Sequence, residues 1–467
     1  MSGAASTSGW EALQDQIAGQ VVLPVAPEYD SARKPAMARF WHVRPLAIVR
    51  CHATADVAAA LACARRTGLH VAVRGGGHSF AGCSTTAGLV IDLTPMRGVS
   101  LAGARATVAA GTTLGELYDA LDSHGRTVAA GCGPTVGVAG LTLGGGIGIL
   151  GRRHGLTSDQ LRAAQVVLAD GRVVWCDEHR DADLFWALRG AGGCRFGIVT
   201  SLVLQTVAVP TASSFDLHWP EEAAASVIDA WQHWAPDAPE EVAASLLVTA
   251  PAAPGRPMEV RVVGAAAGTA SDARDVLDGL VVGVGRDPTS TAVAQRPYRQ
   301  TKRHLAERDA DSTAKPDPGH VYAKSEFFRA PLPTAAIAAL VSHMASHRVA
   351  GQARELDFTP WGGAYNRVHA HATAFAHRAE RFLLKHEVVT TPDNGSAIAR
   401  VWVERSWALA HPAGTGRAYP NFPDPDLDEW DAAYHGDNLT RLRRVKEHYD
   451  PEGVFSFEHP PSASDER

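Results

Sequence analysis

Between Pro134 and Gly148 the chain reads Pro-Thr-Val-Gly-Val-Ala-Gly-Leu-Thr-Leu-Gly-Gly-Gly-Ile-Gly, with six glycines in fifteen residues. Each glycine gives up more conformational freedom on folding than any other residue, so such density needs a structural cause. An earlier cluster, Arg74-Gly75-Gly76-Gly77-His78-Ser79, sets three residues without side chains beside a histidine. Consecutive glycines expose backbone N–H groups and admit close approach, so a pyrophosphate can be cradled without a clash. Taken alone, the same residues also fit a flexible turn with a surface histidine. Gly146-Ile147-Gly148-Ile149-Leu150-Gly151 matches the spaced glycines of a nicotinamide-dinucleotide fold. That fold needs a branched strand before the glycines, a long helix after them and an acidic residue at the next strand end. Here glycines precede the pattern, Gly155 interrupts any helix and Asp170 sits in a hairpin turn, so the nicotinamide reading is rejected.

Around these clusters the patterning is that of mixed helix and strand. Apolar runs at 47–49, 71–73 and 89–91 predict strands, and the stretch 56–66 predicts a helix, with Thr54 as N-cap and Gly68 as its stop. The residues 74–78 then form the turn after a strand. Asp170-Gly171 between Val166 and Trp175 predicts a tight hairpin. Past Pro210 the composition shifts to a second unit, with helices over 221–230 and 334–346 and strands over 258–264 and 320–328. The polar stretch 286–318 reads as an exposed excursion, the Pro- and Gly-rich stretch 412–428 as a crossing between units, and 439–448 as a basic amphipathic helix.

With 467 residues, 45% of them hydrophobic and 20% charged, the chain is long enough for two or three units and a deeply buried cofactor. A formal charge of −6 provides no basic field for phosphate backbones or anionic lipid, so neither nucleic acid nor a membrane is an expected partner. The first twenty residues lack a basic segment followed by an apolar core, and a cytoplasmic location is the expectation. Six cysteines without short paired spacings suggest neither a zinc site nor a disulfide framework.

Further motifs follow in order: Val22–Tyr29, Arg189-Gly190-Ala191-Gly192-Gly193, Phe196-Gly197-Ile198-Val199-Thr200, Trp361-Gly362-Gly363, Tyr419-Pro420-Asn421-Phe422 and Tyr449-Asp450-Pro451. Together with the glycine clusters, over nearly all the chain, this set resembles the FAD-linked oxidases related to berberine bridge enzyme, in the vanillyl-alcohol-oxidase superfamily. The resemblance implies an α+β, two-domain FAD-binding fold. Residues 1–208 and 415–467 would form the FAD-binding domain, and residues 209–414 a substrate domain of antiparallel sheet covered by helices. It implies FAD bonded covalently through His78 to the flavin 8α-methyl group. The implied cofactor contacts are Arg74, Gly75, Gly76, Gly77, His78, Ser79, Gly82, Pro134, Thr135, Val136, Gly137, Gly140, Leu143, Gly144, Gly145, Gly148, Ile198, Val199, Tyr419 and Asn421.

Several relatives add a cysteine bonded to flavin C6 immediately before Pro-Thr-Val-Gly, where this chain has Gly133. Cys132 lies one residue earlier. In extended backbone that offset turns its side chain to the opposite face, so a single covalent link is expected. Val136 occupies the position where valine accompanies oxygen-using relatives, which points to dioxygen as electron acceptor. Ala139 and the pair Cys194-Arg195 depart from the family pattern and mark local contacts that differ.

The flavin carries the redox chemistry, and oxidation of the donor usually needs a base as well. Two candidates stand out. Tyr419 matches a tyrosine that is the base in several relatives, and it equally fits a packed aromatic with a satisfied hydroxyl. Glu355 and Asp357 alternate with Leu356 and Phe358, so both acids share one face of a strand leading into Trp361-Gly362-Gly363. Glu355 becomes the better base if it points into an apolar pocket. His369, His371 and His377 lack companions for a coordination shell, with the first two expected on one strand face in a structural role. The resemblance is closest in character to 6-hydroxynicotine oxidase and to bacterial polyketide-tailoring oxidases such as the enterocin favorskiiase. It implies oxidation of a small natural-product intermediate, with flavin-based oxygenation as a further outcome. A carbohydrate or amine oxidase releasing hydrogen peroxide, and a flavin-binding protein without turnover, remain the alternatives. The expected partners are a small-molecule substrate and dioxygen, with a homodimer open.

Overall fold

The computed structural model describes residues 7–193, 195–310, 319–392 and 395–455, so Cys194 and positions 311–318 of the polar stretch lie outside the described residues. The strands Gln20–Val22, Ala47–Arg50, Leu89–Asp92 and Val71–Arg74 lie side by side in that order, the last three parallel. Parallel strands need a long crossover, and the helix Thr54–Thr67 supplies it between Ala47–Arg50 and Val71–Arg74. Ile48, Val49, Val90 and Ile91 are fully buried, as expected of strands covered on both faces. The helix packs Val57, Ala60, Leu61 and Ala64 into the core shared with a second sheet. That sheet is antiparallel and five-stranded, in the order Val99–Ala102, Arg105–Ala109, Ile198–Gln205, Leu161–Val167, Val173–Asp177. The last two strands are the hairpin closed at Asp170-Gly171.

The other unit is a seven-stranded antiparallel sheet. Its order is Ser290–Arg296, Ala212–Trp219, Glu259–Ala266, Val242–Ala250, Gln352–Pro360, Phe382–Thr390, His320–Phe328. Alternate residues of a strand face opposite sides, so one sequence pattern serves two environments. Leu246, Val248, Val260, Val262, Leu356 and Phe358 point into an apolar core. The helices Ala224–Trp234, Ala270–Val284, Thr334–Ala345 and Ser396–Ala410 contribute to that core from the same side. The intervening residues Ser245, Thr249, Glu259, Arg261, Glu355, Asp357 and Thr359 line a cavity on the opposite side. The α+β architecture with a helix-covered antiparallel sheet is therefore the one observed. Among the described residues no helix is long and apolar enough to cross a membrane.

Three local expectations need correction. Thr54 is the first helical residue rather than the cap, and its hydroxyl donates to Gln165 Oε1 at 2.9 Å. The Asp56 carboxylate takes over the capping work, accepting from the N–H groups of Ala18, His52 and Ala53. The polar stretch, largely exposed over its described residues, is nevertheless not irregular chain throughout. It contains the edge strand Ser290–Arg296 and the helix Tyr298–Ala310, which buries Tyr298, Thr301 and Lys302. Charge content alone concealed this, because a long cationic side chain can be buried where acceptors await it. Lastly, His369 and His371 sit in irregular chain after the helix Ala364–Arg367, not on a strand. His371 Nδ1 lies 2.8 Å from Asn438 Oδ1, and His377 is buried with Nε2 3.0 Å from Tyr434 O.

Candidate active site

The two glycine clusters meet. A Cβ on Gly76 would lie 2.3 Å from the Gly137 nitrogen, and one on Gly137 would lie 2.4 Å from the Gly76 nitrogen. Only residues without side chains allow two backbones this close. The contact brings His78 beside Thr135, with Nε2 of the first 3.1 Å from Oγ1 of the second. Burial lowers the basicity of His78, partly opposed by its hydrogen bond with Thr135. Gly76 and Gly77 line one cavity of about 320 Å³ with Lys34, Arg74, Asp92 and Thr94. Arg74 is itself buried, donating to the carbonyls of Ala32, Arg33 and Ser84. It thus fixes the turn from below. Ser79 Oγ accepts from the Cys83 N–H, and a Cβ on Gly82 would strike the Phe40 ring at 2.6 Å.

The second cluster continues into a larger cavity of about 420 Å³, walled on this side by Gly131, Cys132, Gly133, Ile147 and Gly148. Around Cys132 the backbone is bent rather than extended, so the rule of alternating faces does not apply. Its side chain is therefore not turned away, and Cys132 lines the same cavity as Glu355. Gly144 and Gly145 pack against Asn421, Tyr419 and Phe375. Gly146, at φ +88°, would push a Cβ to 2.4 Å from Thr157 Oγ1. Pro134, Thr135 and Gly140 are exposed, whereas Leu143 is buried. Val136 packs over Gly133, with its Cγ2 3.0 Å from where a Cβ there would stand. Ile198 and Val199 belong to the buried core of the five-stranded sheet and line neither cavity.

Tyr419 is 3% exposed, and its hydroxyl accepts from the Gly146 N–H at 2.9 Å and from Asn421 Nδ2 at 3.1 Å. Asn421 Nδ2 also donates to Leu141 O. Burial pushes the phenol up to about 12 against the pull of these donors. The residue thus ties the returning C-terminal segment to the glycine turn, and it stands outside the lining of the larger cavity.

The opposite wall carries charge. Register places Glu355 across from Glu387 and from Thr249, and Asp357 across from Lys385. Lys385 Nζ lies 3.0 Å from Glu387, 3.5 Å from Asp357 and 3.8 Å from Glu355. Thr249 Oγ1 donates to Glu355 at 3.5 Å. Directly opposed carboxylates weaken a sheet, and one ammonium shared among three of them compensates only in part. Glu355 therefore faces a polar, charged wall and not the apolar pocket that would have favoured it as a base by burial alone. Lys385, Arg261 and Tyr365 were not singled out by sequence reasoning. The alternation Lys385-His386-Glu387 was a usable sign, but only strand pairing shows which acids it meets.

A flavin dinucleotide would need two adjoining chambers joined at a backbone cradle, and the glycine seam between the two cavities provides this. Close to the first cluster, Ser84, whose carbonyl accepts from Arg74, and Thr85 bury hydroxyls that have no hydrogen-bond partner among the described residues, polar capacity that a ligand could take up. The residues present fit the group. The sequence pattern of the FAD binding domain matches residues 45–177, and that described as "Berberine and berberine like" matches residues 418–460. The FAD-linked oxidoreductase YgaK of Bacillus subtilis is 32% identical over 95% of this chain and 96% of its own length. The chain belongs to the berberine-bridge-enzyme-like family. It is an FAD-linked oxidoreductase, as family membership and the FAD-binding match establish. Among solved members of this family, BBE-like 1 of Physcomitrella patens superposes with a TM-score of 0.86 at 28% identity, covering 97% and 98% of the two chains. The glucooligosaccharide oxidase of Acremonium strictum, whose structure is titled for its 6-S-cysteinyl, 8α-N1-histidyl FAD, gives 0.84 at 28% identity over 96% and 98%.

Proposed function

We propose that this family member carries FAD bonded through His78 and oxidises a small, hydroxyl-bearing molecule with dioxygen as electron acceptor. The carrying observation is the charged face of Glu355 and Asp357, backed by Lys385 and set with Ser245, Thr249 and Arg261 in the lining of the larger cavity that Cys132 and Gly133 share. Hydroxyl groups can exchange hydrogen bonds with such donors and acceptors, whereas a flat aromatic polyketide has few groups to meet them. Of the expected substrates, the carbohydrate-like one is therefore favoured. The oligosaccharide oxidase among the relatives supports the same choice.

At the other wall, the Thr135 hydroxyl engages His78 Nε2, which leaves Nδ1 as the ring nitrogen to carry the bond. Burial favours the neutral, nucleophilic form of the His78 ring. Position 133, where relatives place the second bonding cysteine, is glycine, and a single link is retained, with the neighbouring Cys132 on the cavity wall as the residue that a mass spectrum of its peptide would test. When bound, the flavin supplies the two-electron acceptor that dioxygen regenerates. Glu355 takes the hydroxyl proton of the donor, and Lys385 and Thr249 hold that carboxylate in place. Tyr419, neutral below about pH 12, acts as a fixed hydrogen-bonding post for the Gly146 turn and not as the base. Cys51, Cys63, Cys83 and Cys176 form no disulfides, which supports a reducing, cytoplasmic setting.

The test is peroxide release on a panel of sugars and polyols set beside flat phenols and polyketides of similar size. Turnover confined to the aromatic set would overturn the substrate class. Yellow colour released entirely by acid precipitation would overturn the covalent link.

A further inference from the structure

We propose that Lys302 is a positioning residue whose ammonium clamps the helix Tyr298–Ala310 to the Ala130–Gly131 backbone, setting how closely Leu305 and Ala306 face Cys132 across the cavity. Lys302 matters in this way only because the cavity is the substrate chamber of the proposed function. The ammonium, in a side chain 3% exposed, donates to Ala130 O at 2.5 Å, Gly131 O at 3.0 Å and the Tyr118 hydroxyl at 2.5 Å. It also lies 3.9 Å from the centre of the Tyr118 ring. No carboxylate among the described residues pairs with it. An ammonium buried against neutral acceptors is an expensive way to join two packed surfaces, since leucine or methionine would do so without desolvating a charge. What the lysine adds is direction, because three N–H bonds fix both the helix and the backbone that runs into the cavity wall.

Helical spacing completes the device. Leu305 and Ala306 lie three and four residues beyond Lys302, on the same face of the helix, and both line the cavity. Cys132 and Gly133 follow Gly131 directly and line it from the other side. One side chain therefore registers two opposing walls. The groups facing it are Tyr118 on the helix Leu114–Asp122, Tyr298 on its own helix and Cys132 on the loop, with the Arg299–Asp119 pair at the rim, 2.6 Å apart. Burial raises both tyrosines far above the neutral range and lowers Lys302 to about 8.

The test is hydrogen–deuterium exchange on the holoenzyme, comparing wild type, Lys302→Met and Arg299→Ala. In Lys302→Met, exchange should rise about tenfold in segments 129–133 and 298–310 together, the loss of about one net hydrogen bond. Arg299→Ala breaks the surface link between the same two helices and should change neither segment by more than about twofold. No rise in Lys302→Met, or equal loosening in Arg299→Ala, overturns the clamp. A second arm covers a Lys302→Met protein that fails to fold. Tyr118→Phe removes one of the three acceptors and almost no volume, and it should loosen segments 129–133 and 298–310 together by a smaller factor than Lys302→Met. No change in either segment of folded Tyr118→Phe overturns the clamp. A protein that is colourless yet shows both effects loses the flavin reading and keeps the clamp.

Discussion

The two walls of the larger cavity are made by different means. On one side, Gly131, Gly133 and Gly148 offer backbone, and the positions that matter are those where a side chain cannot be. On the other, the seven-stranded sheet offers Glu355, Asp357, Ser245, Thr249 and Arg261, each placed by its register against a neighbouring strand. The first wall fits a ligand whose shape does not vary, because backbone has no chemistry to exchange. The second can be rewritten residue by residue without disturbing the apolar face beneath it, since alternate positions serve the two sides. A constant cofactor and a changeable substrate are what such a division allows.

The most severe test of the division is His78→Ala, which should abolish acid-stable flavin completely while the seven-stranded sheet folds as before. Retention of covalent colour, read by absorbance of the acid precipitate, would break the assignment of the backbone wall. Next comes Glu355→Gln, expected to lower kcat by about 10²–10⁴ on the substrate that the panel identifies, with flavin content unchanged. Unchanged turnover would remove Glu355 and leave the charged wall a binding surface only. Gly76→Val should then cost about 3 kcal/mol or more in denaturant unfolding, because its Cβ would stand 2.3 Å from the Gly137 nitrogen. The smallest effect is on acid stability. Burial holds His377 and His386 at about 3, below the ordinary 6.5, so the unfolded chain binds each proton first. Their contribution is complete above about pH 6.5 and lost as pH falls towards 3, by at most about 1.4 kcal/mol per unit for each histidine. Thermal melts between pH 7.5 and 5 should flatten in His386→Gln, and no flattening would show that the sheet unfolds by another route.

Legibility in the sequence follows the same division. The strand Val71–Arg74, the helix ending at Gly68 and the hairpin at Asp170-Gly171 all depend on neighbours within a few residues, and each is readable from spacing. So is the role of glycine, because a missing side chain constrains wherever it occurs. Thr54 and the stretch around Lys302 were misread for one reason. Thr54 finds Gln165 across 111 positions of sequence, and Lys302 finds Tyr118 across 184. Propensity and alternation carry no information at such range. Glu355 and Asp357 were legible as a shared face, but the lysine between them was not, because register is a property of pairs of strands.

The hydroxyl of Tyr419 meets the Gly146 turn across 273 residues of chain. On the ribosome, the glycine turn therefore has no lid until Tyr419 has emerged in its turn, and a product that stops short of Tyr419 should leave that turn open to proteases.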